Sequence, residues 1–509
     1  MNKKNDIAYL NTFSSLLLQL VTIVNGFIIP RLILQTFGSD VNGLVSSLTQ
    51  FLNFISLLEG GVTAVIMANL YKPLHDNNTK KRDSVIVTTL NFYKKISYIF
   101  VIYSIVLSIV YPLVFDTGFS YSYVSSLTLI LSINLFSRYC FSLTWKNLLD
   151  ADKKVYITSF IQIVCIILSA ISTIIVVIFY PSIHLLKLVS SLIFLLQPIL
   201  FSRIVKKNYI INLNEKNDVK LTKERWNGLG INIAFFVHTN TDVTLLTIFS
   251  TLKDISVYST YMLVIKGIQS LLDAISNGLG PSIGHALFDE DKSHLNELCD
   301  QYELINFFLS FWLFTLTELL IVPFILIYTN GINDANYSQP LLGLFMILAQ
   351  LMYSLRSLSN IVSYNMNKFK DLTKYAVTEA ILNIILSIIL IYYLGIAGVV
   401  IATFIAMSYR TISQVFFIER DVIFRSSKKF FSKFLVFLSG STVIILLNII
   451  TSSSFTSKVS IMHWLFSAFI NGLLLFLLYS VLCYIFYKKD FIYIVRRIKV
   501  KILKKRKTN

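Results

Sequence analysis

The strongest constraint on this sequence is a series of about 14 apolar runs, each long enough to cross a lipid bilayer. A crossing takes roughly 20 apolar residues. The runs cover residues 7–30, 43–70, 96–115, 124–145, 155–180, 183–202, 227–250, 257–285, 303–328, 339–364, 376–394, 398–418, 433–450 and 462–486. They are continuous rather than alternating, which favours membrane helices over a β-barrel. Because no connecting loop exceeds about 25 residues, we predict an all-α polytopic membrane protein without a soluble domain.

The basic residues are distributed unevenly among the loops, and this distribution predicts the topology. If both chain ends lie on one side, 37 of the 45 Lys and Arg residues lie in loops on that side. The opposite loops hold only Arg31, Lys253 and Lys458, and five more lie inside the apolar runs. This bias follows the positive-inside rule and places both ends in the cytoplasm. The net charge of +18 is spread over many short loops, which favours membrane lipids over nucleic acid as partners.

An internal repeat appears when the first six runs are aligned with the next six, with a shift of about 214 residues. Two unusually long runs then coincide, and Glu59 aligns with Asp273. Arg138 and Arg356 fall within one helical turn of equivalent positions. Six spans is an even number, so the two halves share one orientation, as in the parallel repeats of some transporters.

The repeat predicts two six-helix lobes around a central cavity, formed by residues 1–212 and 213–425. Residues 426–509 add two further helices and a basic tail. The first run, 7–30, follows two lysines as in a signal peptide. It is long and lacks a small-residue cleavage site, so we interpret it as an uncleaved first span.

Four basic side chains predict an anion-binding lining for that cavity. Arg138, Lys266 and Arg356 lie deep within apolar runs, and Arg31 lies at the predicted outer mouth. A charge at a helix centre costs at least about 2.5 kcal/mol, so it needs a use or a partner. Arginine offers bidentate donors to a phosphate or diphosphate. The alternative for Arg138 and Arg356 is that their long side chains reach the headgroups of the inner face.

Acidic and polar residues in the same runs predict a second function. Glu59, Asp242 and Asp273 are candidates for ion coupling, because a buried carboxylate can bind and release a proton or hold a cation. The segment from Asn232 to Asp242 places His238 and Asn240 on a polar stripe that could line the cavity. Buried ion pairs or polar contacts between helices are the alternative explanation.

The sequence offers little basis for enzymatic chemistry. It contains no GxxxxGK[ST] loop and no HExxH, which excludes the ATPase and metalloprotease motifs. The four cysteines are isolated, which predicts neither disulfides nor a metal site. We therefore expect no cofactor, and a proton or sodium gradient as the energy source.

Three segments resemble the bacterial oligosaccharide-lipid flippases, the Wzx-type polysaccharide exporters of the multidrug/oligosaccharidyl-lipid/polysaccharide exporter superfamily. They are PRLILQTFGSDVNGLVSSLTQFLNFISLLEGGVTAVIMANLYKPL (Pro30 to Leu74), NTDVTLLTIFSTLKDISVYSTYMLV (Asn240 to Val264) and TEAILNIILSIILIYYLGIAGVVIAT (Thr378 to Thr403). The resemblance extends over most of the chain. The resemblance consists of a shared hydropathy pattern and loosely spaced matching residues. It therefore indicates the protein family more specifically than the transported substrate.

The resemblance implies a flippase in the bacterial cytoplasmic membrane. It would move a polyprenyl-diphosphate-linked oligosaccharide repeat unit of a capsule or exopolysaccharide from the inner to the outer leaflet, by ion-coupled alternating access. Other polysaccharide-assembly membrane proteins would be its partners. Three alternatives remain open: a flippase for a teichoic-acid or peptidoglycan precursor, a cation-coupled multidrug antiporter, and a membrane glycosyl polymerase. The single basic residue Arg31 near the first two spans argues against the peptidoglycan precursor, because the lipid II flippases would be expected to carry a dense basic cluster there.

Overall fold

The computed structural model describes residues 3–59, 62–218, 229–287, 292–366, 368–452 and 460–507, and over these residues the regular structure is helical, without strands. The first ten helices are α1 (Lys3–Leu52), α2 (Ser56–Glu59), α3 (Val62–His75), α4 (Thr79–Val114), α5 (Tyr121–Ser137), α6 (Leu143–Ala151), α7 (Val155–Phe179), α8 (Ile183–Phe194), α9 (Leu196–Asn208) and α10 (Leu229–Phe249). The remaining ones are α11 (Leu252–Ala286), α12 (Lys292–Tyr328), α13 (Pro340–Leu355), α14 (Ser357–Asn365), α15 (Phe369–Leu394), α16 (Ile396–Phe417), α17 (Lys428–Ser452), α18 (Ile461–Phe486) and α19 (Lys488–Lys507).

Eleven helices within the described ranges are long and apolar enough to cross a membrane. The predicted all-α, multi-pass membrane fold is confirmed. The first two predicted runs count as one, because α1 continues through a bend at Gly38, where φ is 81°. Helix α5 is shorter than the other spans, and α10 is not among the eleven. The total of 14 spans therefore stays a prediction.

The chain divides into two compact units. The N-terminal unit comprises residues 1–257 with 331–335, and the C-terminal unit comprises 258–330 with 336–509. Helix α11 begins in the first and continues in the second. The division into lobes at 212 and 425 came from the sequence repeat, and it stays a prediction.

In the N-terminal unit, α1 packs tightly against the α10–α11 corner, after its bend. A Cβ atom at Gly43 would lie 1.8 Å from the carbonyl oxygen of Leu252, so only glycine permits this approach. Asn42 donates to Ser256 at 2.8 Å, and Ser47 shares a hydrogen bond with Thr247 at 2.7 Å. Buried polar groups of this kind stabilise a helix contact when each finds its partner.

In the C-terminal unit, the connection predicted at Gly395 to Ala397 forms a tight antiparallel hairpin. Helix α15 ends at Leu394 and α16 begins at Ile396. Gly395 has a φ of 56°, the left-handed region that glycine adopts at little cost. At Gly398 a Cβ atom would lie 2.2 Å from the carbonyl oxygen of Leu390. This hairpin holds α15 and α16 side by side, which positions the buried charges described below.

Candidate functional site: two sets of intramembrane charges

Glu59 and Arg138, predicted separately, meet in the N-terminal unit. Arg138 Nη2 lies 3.9 Å from Glu59 Oε2. The Glu59 side chain is 15% exposed, whereas that of Arg138 is 56% exposed. The hydroxyl of Thr63 donates to Glu59 Oε1 at 2.9 Å and lies 3.1 Å from the Tyr93 hydroxyl. The carboxylate is thus held in place, while more than half of the Arg138 side-chain surface stays exposed.

Local irregularities in the helices position both members of this pair. Glu59 is the last residue of the short helix α2, after a 3₁₀ turn at Asn53–Ile55. Arg138 opens a π-helical turn, Arg138–Ser142, between α5 and α6. π-turns widen the helix and are frequent at functional sites. The guanidinium also lies 5.8 Å from the centre of the Tyr139 ring, a cation–π distance.

The other predicted residues of the N-terminal unit lie on α1 and α10. Asp242 is buried, with 6% exposure. Asn240 is half-buried, and its side-chain oxygen accepts a hydrogen bond from Gln50 of α1. Arg31 is also half-buried. The side chain of His238 lies outside the described residues.

Lys266 and Asp273 belong to the C-terminal unit, where both side chains on α11 are exposed. They are separated by seven residues, which is about two helical turns, so they lie on the same side of α11. Their roles as an anion contact and an ion-coupling acid stay predictions.

Arg356 is buried, and its ion-pair partner is Glu379, an acid of the apolar run 376–394 that lay outside the predicted site. Its Nη1 lies 3.5 Å from Oε1 of Glu379, and Nη1 of Arg410 lies 2.5 Å from Oε2 of the same carboxylate. The side chains of Arg356, Glu379 and Arg410 are 2%, 0% and 11% exposed. The Tyr353 ring lies 4.8 Å from the Arg356 guanidinium. We call these two arginines and Glu379 the Arg356 cluster.

The Arg356 cluster carries two cations for one carboxylate. Within the described part of the chain, neither the Arg356 Nε nor the Arg410 Nε has a hydrogen-bond acceptor. Arg356 also interrupts its helix, since its φ and ψ of −81° and 7° separate α13 from α14. Removing the carboxylate that buried cations share is strongly destabilising, because the remaining charges stay buried without a partner. Glu379 therefore stabilises the contact between three segments of the unit.

A second buried network joins α12, the connection after α16, and α17. Arg425 contacts Glu419 at 2.7 Å, Asp300 at 3.5 Å and also Glu303. Lys433 contacts Glu303 at 2.8 Å and Asp300 at 3.2 Å. Burial alone would lower the pKa of the Arg425 guanidinium, but the three carboxylates outweigh it and raise that pKa. These buried ion pairs link α17 to α12.

The sequence did contain a signal for this network. Asp300 and Glu303 are three residues apart on one helix, and Arg425, Lys429 and Lys433 recur at intervals of four. Such spacings place Asp300 with Glu303, and Lys429 with Lys433, on one helical face, whereas Arg425 lies in the connection before α17. Glu379 gave no comparable signal, since one acid in an apolar run does not reveal which helices meet there. No group of three or more His, Cys, Asp or Glu that could hold a metal ion occurs in the described ranges.

Solved structures of membrane transporters share the arrangement of these helices. No protein-family model matches the sequence, and no curated protein sequence matches it either. The lipid II flippase MurJ, in an inward closed conformation, superposes with a TM-score of 0.71 at 17% identity, covering 94% of this chain and 99% of MurJ. The MATE multidrug transporter DinF-BH gives a TM-score of 0.60 at 15% identity, covering 82% and 96%.

An inward-facing multidrug resistance MATE family transporter of the MOP superfamily gives a TM-score of 0.58 at 13% identity, covering 80% of this chain and 94% of the transporter. At these identities the likeness concerns the fold. This chain therefore has the all-helical membrane fold shared by the lipid II flippase MurJ and the MATE transporters.

Proposed function

We propose that this protein is a flippase that moves a polyprenyl-diphosphate-linked oligosaccharide repeat unit, destined for a capsule or exopolysaccharide, from the inner to the outer leaflet of the bacterial cytoplasmic membrane. The sugars and the diphosphate cross in a water-filled cavity while the polyprenyl chain stays in lipid. Both chain ends lie in the cytoplasm. The resemblance to Wzx-type exporters and the shared transporter fold support this proposal.

The observation that carries the proposal is the exposure of Arg138. Its side chain is 56% exposed although it lies in a predicted span. A charge in that position avoids the cost of hydrocarbon by facing water or by pairing closely with an acid. Because Glu59 approaches no closer than 3.9 Å, the guanidinium keeps donors free for a phosphate. Arginine binds phosphate with paired, directed hydrogen bonds. Arg31, Lys266 and Arg356 would complete the basic lining, the last of them after a rearrangement that exposes it.

Glu59, Asp242 and Asp273 are the acids that we propose for coupling transport to a proton or sodium gradient. Glu59 is suited to the role because it is mostly buried and yet touches an exposed cation. An anionic substrate at Arg138 would compete with Glu59 for the guanidinium. Release of that contact would leave the Glu59 carboxylate available to the coupling ion. Substrate and ion binding are thereby linked.

The test is a deletion strain complemented with the wild-type gene, with Arg138→Ala or with Arg203→Ala as the matched control. Arg203 is an exposed arginine on α9, so its loss removes the same charge from another place. Surface polysaccharide would be measured together with the amount and leaflet of the polyprenyl-linked oligosaccharide. We expect the deletion and Arg138→Ala to lose surface polymer, with finished repeat units accumulating on the inner leaflet, and Arg203→Ala to behave as the wild type.

Other outcomes would contradict the proposal in distinct ways. Repeat units that reach the outer leaflet but stay unpolymerised would indicate a polymerase. Unchanged polysaccharide with altered drug tolerance would indicate a multidrug antiporter. Arg138→Ala and Arg356→Ala variants that both transport normally would remove the cationic cavity from the mechanism.

A peptidoglycan-precursor flippase is the second candidate. The superposition on the lipid II flippase MurJ covers 94% of this chain. The same strains distinguish the two substrates. Accumulation of lipid II on the inner leaflet, with surface polysaccharide intact, would identify the peptidoglycan precursor as the cargo.

A further inference from the structure

The last helix has a composition unlike that of the spans. Helix α19, Lys488–Lys507, follows α18 after a break at Tyr487. Its 20 residues include ten Lys or Arg and one acid, Asp490. At 1.5 Å per residue the helix is about 30 Å long. A helix this basic does not cross the hydrocarbon layer, so it lies at or beyond the surface of the membrane.

The sequence of α19 is nevertheless amphipathic. Apolar residues occur at positions 491, 494, 495, 498 and 502, a spacing that gathers them on one side of a helix. Basic residues occupy most of the other positions. A helix with an apolar stripe, a cationic face and low overall hydrophobicity is typical of segments that lie in the plane of the membrane interface.

The protein holds the start of α19 through one ion pair. Lys489 Nζ lies 2.8 Å from Glu297 Oε1 of α12. A cavity of about 320 Å³ lies beside this contact, lined by Glu297, Gln301, Lys489, Asp490, Ile492, Tyr493 and Arg496. None of these lining residues belongs to the apolar stripe, so α12 lies on the opposite side of α19. Within the stripe Val495 is about half exposed, at 48%, which leaves this side of the helix accessible to lipid.

The charged side chains near the start of α19 indicate which class of lipid would bind there. Arg496 and Arg497 are both exposed. Of the two acids, Glu297 is paired with Lys489, and burial, followed by nearby Asp300, raises the pKa of Asp490. The basic side chains outnumber the acids throughout the helix. Basic clusters next to a membrane helix attract anionic lipids of the cytoplasmic leaflet.

We propose that α19 is an interfacial helix that binds anionic phospholipid in the inner leaflet, with the apolar stripe toward the acyl chains and the headgroups against Arg496 and Arg497. Binding of this lipid anchors the cytoplasmic end of the C-terminal unit in the headgroup layer. This interaction is separate from the transported substrate and does not require the proposed flippase activity.

The test counts lipids bound to the full-length protein in detergent by native mass spectrometry, during titration with phosphatidylglycerol or phosphatidylcholine. We expect the wild type to prefer phosphatidylglycerol. A double variant, Arg496→Glu with Arg497→Glu, is expected to weaken phosphatidylglycerol binding by about tenfold or more, because each basic residue contributes substantially near an anionic surface. The control, Lys206→Glu with Lys207→Glu, makes the same charge change at the exposed end of α9 and should change binding less than about twofold.

A second measurement locates the helix relative to the bilayer. Val495→Trp adds a fluorophore to the apolar stripe, and brominated phosphatidylglycerol in nanodiscs should quench it beyond the quenching seen in the wild type. Equal loss of lipid in both double variants, absence of any preference for phosphatidylglycerol, or no added quenching at position 495 would each overturn the proposal. All four substituted basic residues are exposed, so unchanged unfolding midpoints are expected and exclude misfolding as the cause.

Discussion

Arg138 and Arg356 occupy nearly equivalent places in the sequence repeat, yet the two units use them differently. Both arginines lie where a helix becomes irregular, a π-turn at Arg138 and a break at Arg356. Arg138 is 56% exposed and meets its carboxylate at 3.9 Å. Arg356 is 2% exposed and shares a fully buried carboxylate with Arg410. One environment leaves the guanidinium available, and the other encloses it.

The difference shows that depth in the membrane does not by itself assign a function to a charge. A mid-span arginine avoids the cost of hydrocarbon either by facing water or by pairing with an acid. Only the first solution leaves donors available to a substrate. We therefore expect changes at the Arg356 cluster to act mainly on stability, and changes at the Arg138–Glu59 pair to act mainly on transport.

The largest effect on stability is expected for Glu379→Ala. It leaves two buried guanidinium groups without the carboxylate that they share, and stranding a buried charge typically costs about 3–5 kcal/mol. The unfolding midpoint of the purified protein in detergent should fall sharply, or expression should fail. Asp371→Ala, which removes an exposed acid from the first turn of the same helix, is the control and should cost less than about 1 kcal/mol. A midpoint unchanged by Glu379→Ala would show that the cluster carries little of the stability.

Arg356→Met is expected to cost less, about 1–2 kcal/mol. The change removes one of two cations and leaves the Glu379–Arg410 contact at 2.5 Å in place. One buried arginine then pairs with one buried carboxylate. Methionine keeps part of the buried apolar volume. Unfolding midpoints of Arg356→Met, Glu379→Ala and the double variant form a thermodynamic cycle. Additive costs would mean that the two residues do not interact, contrary to the geometry.

Thr63→Val should have a moderate effect, about 0.5–1.5 kcal/mol. The change removes the hydroxyl that donates to Glu59 and contacts the buried Tyr93 hydroxyl, while the side-chain shape is kept. Thr63→Ser keeps the hydroxyl and serves as the control, with an unfolding midpoint close to that of the wild type. If Thr63→Ser lowered the midpoint as much as Thr63→Val, the lost methyl packing rather than the hydrogen bond would explain the effect.

The sequence predicted the helices better than it predicted their partners. Continuous apolar runs predict membrane helices, and Gly395 predicts the tight turn between α15 and α16. Both predictions depend only on local sequence. The charges were located as single residues, and Glu59 and Arg138 were both named. Their contact could not be predicted, because it depends on which faces of α2 and of the π-turn approach each other. Glu379 and Arg410 were recognisable only as single charges in apolar runs, and for the same reason neither could be paired with Arg356 from the sequence. The spacing of Lys429 and Lys433 on α17 shows that a regular pattern can indicate a charged helical face, although Arg425 of the same network precedes that helix.

The smallest effect on stability, and the sharpest test of the comparison, is expected for Arg138→Ala. An exposed, loosely paired guanidinium contributes about 0–1 kcal/mol, so the unfolding midpoint should stay close to that of the wild type. Export of the repeat unit, measured in the complemented deletion strain, should nevertheless fall at least about tenfold, because a charged hydrogen bond to phosphate is worth about 1.5–3 kcal/mol. Arg138→Lys should retain part of the export, since lysine keeps the charge but lacks the planar fork of donors. A drop in the midpoint as large as that of Glu379→Ala would make Arg138 a structural residue like Arg356 and end the distinction between the two units. Normal export by a variant of normal stability would show that Arg138 has no role in transport. Lys266, whose side chain on α11 is also exposed, would then be the next candidate for the anion contact.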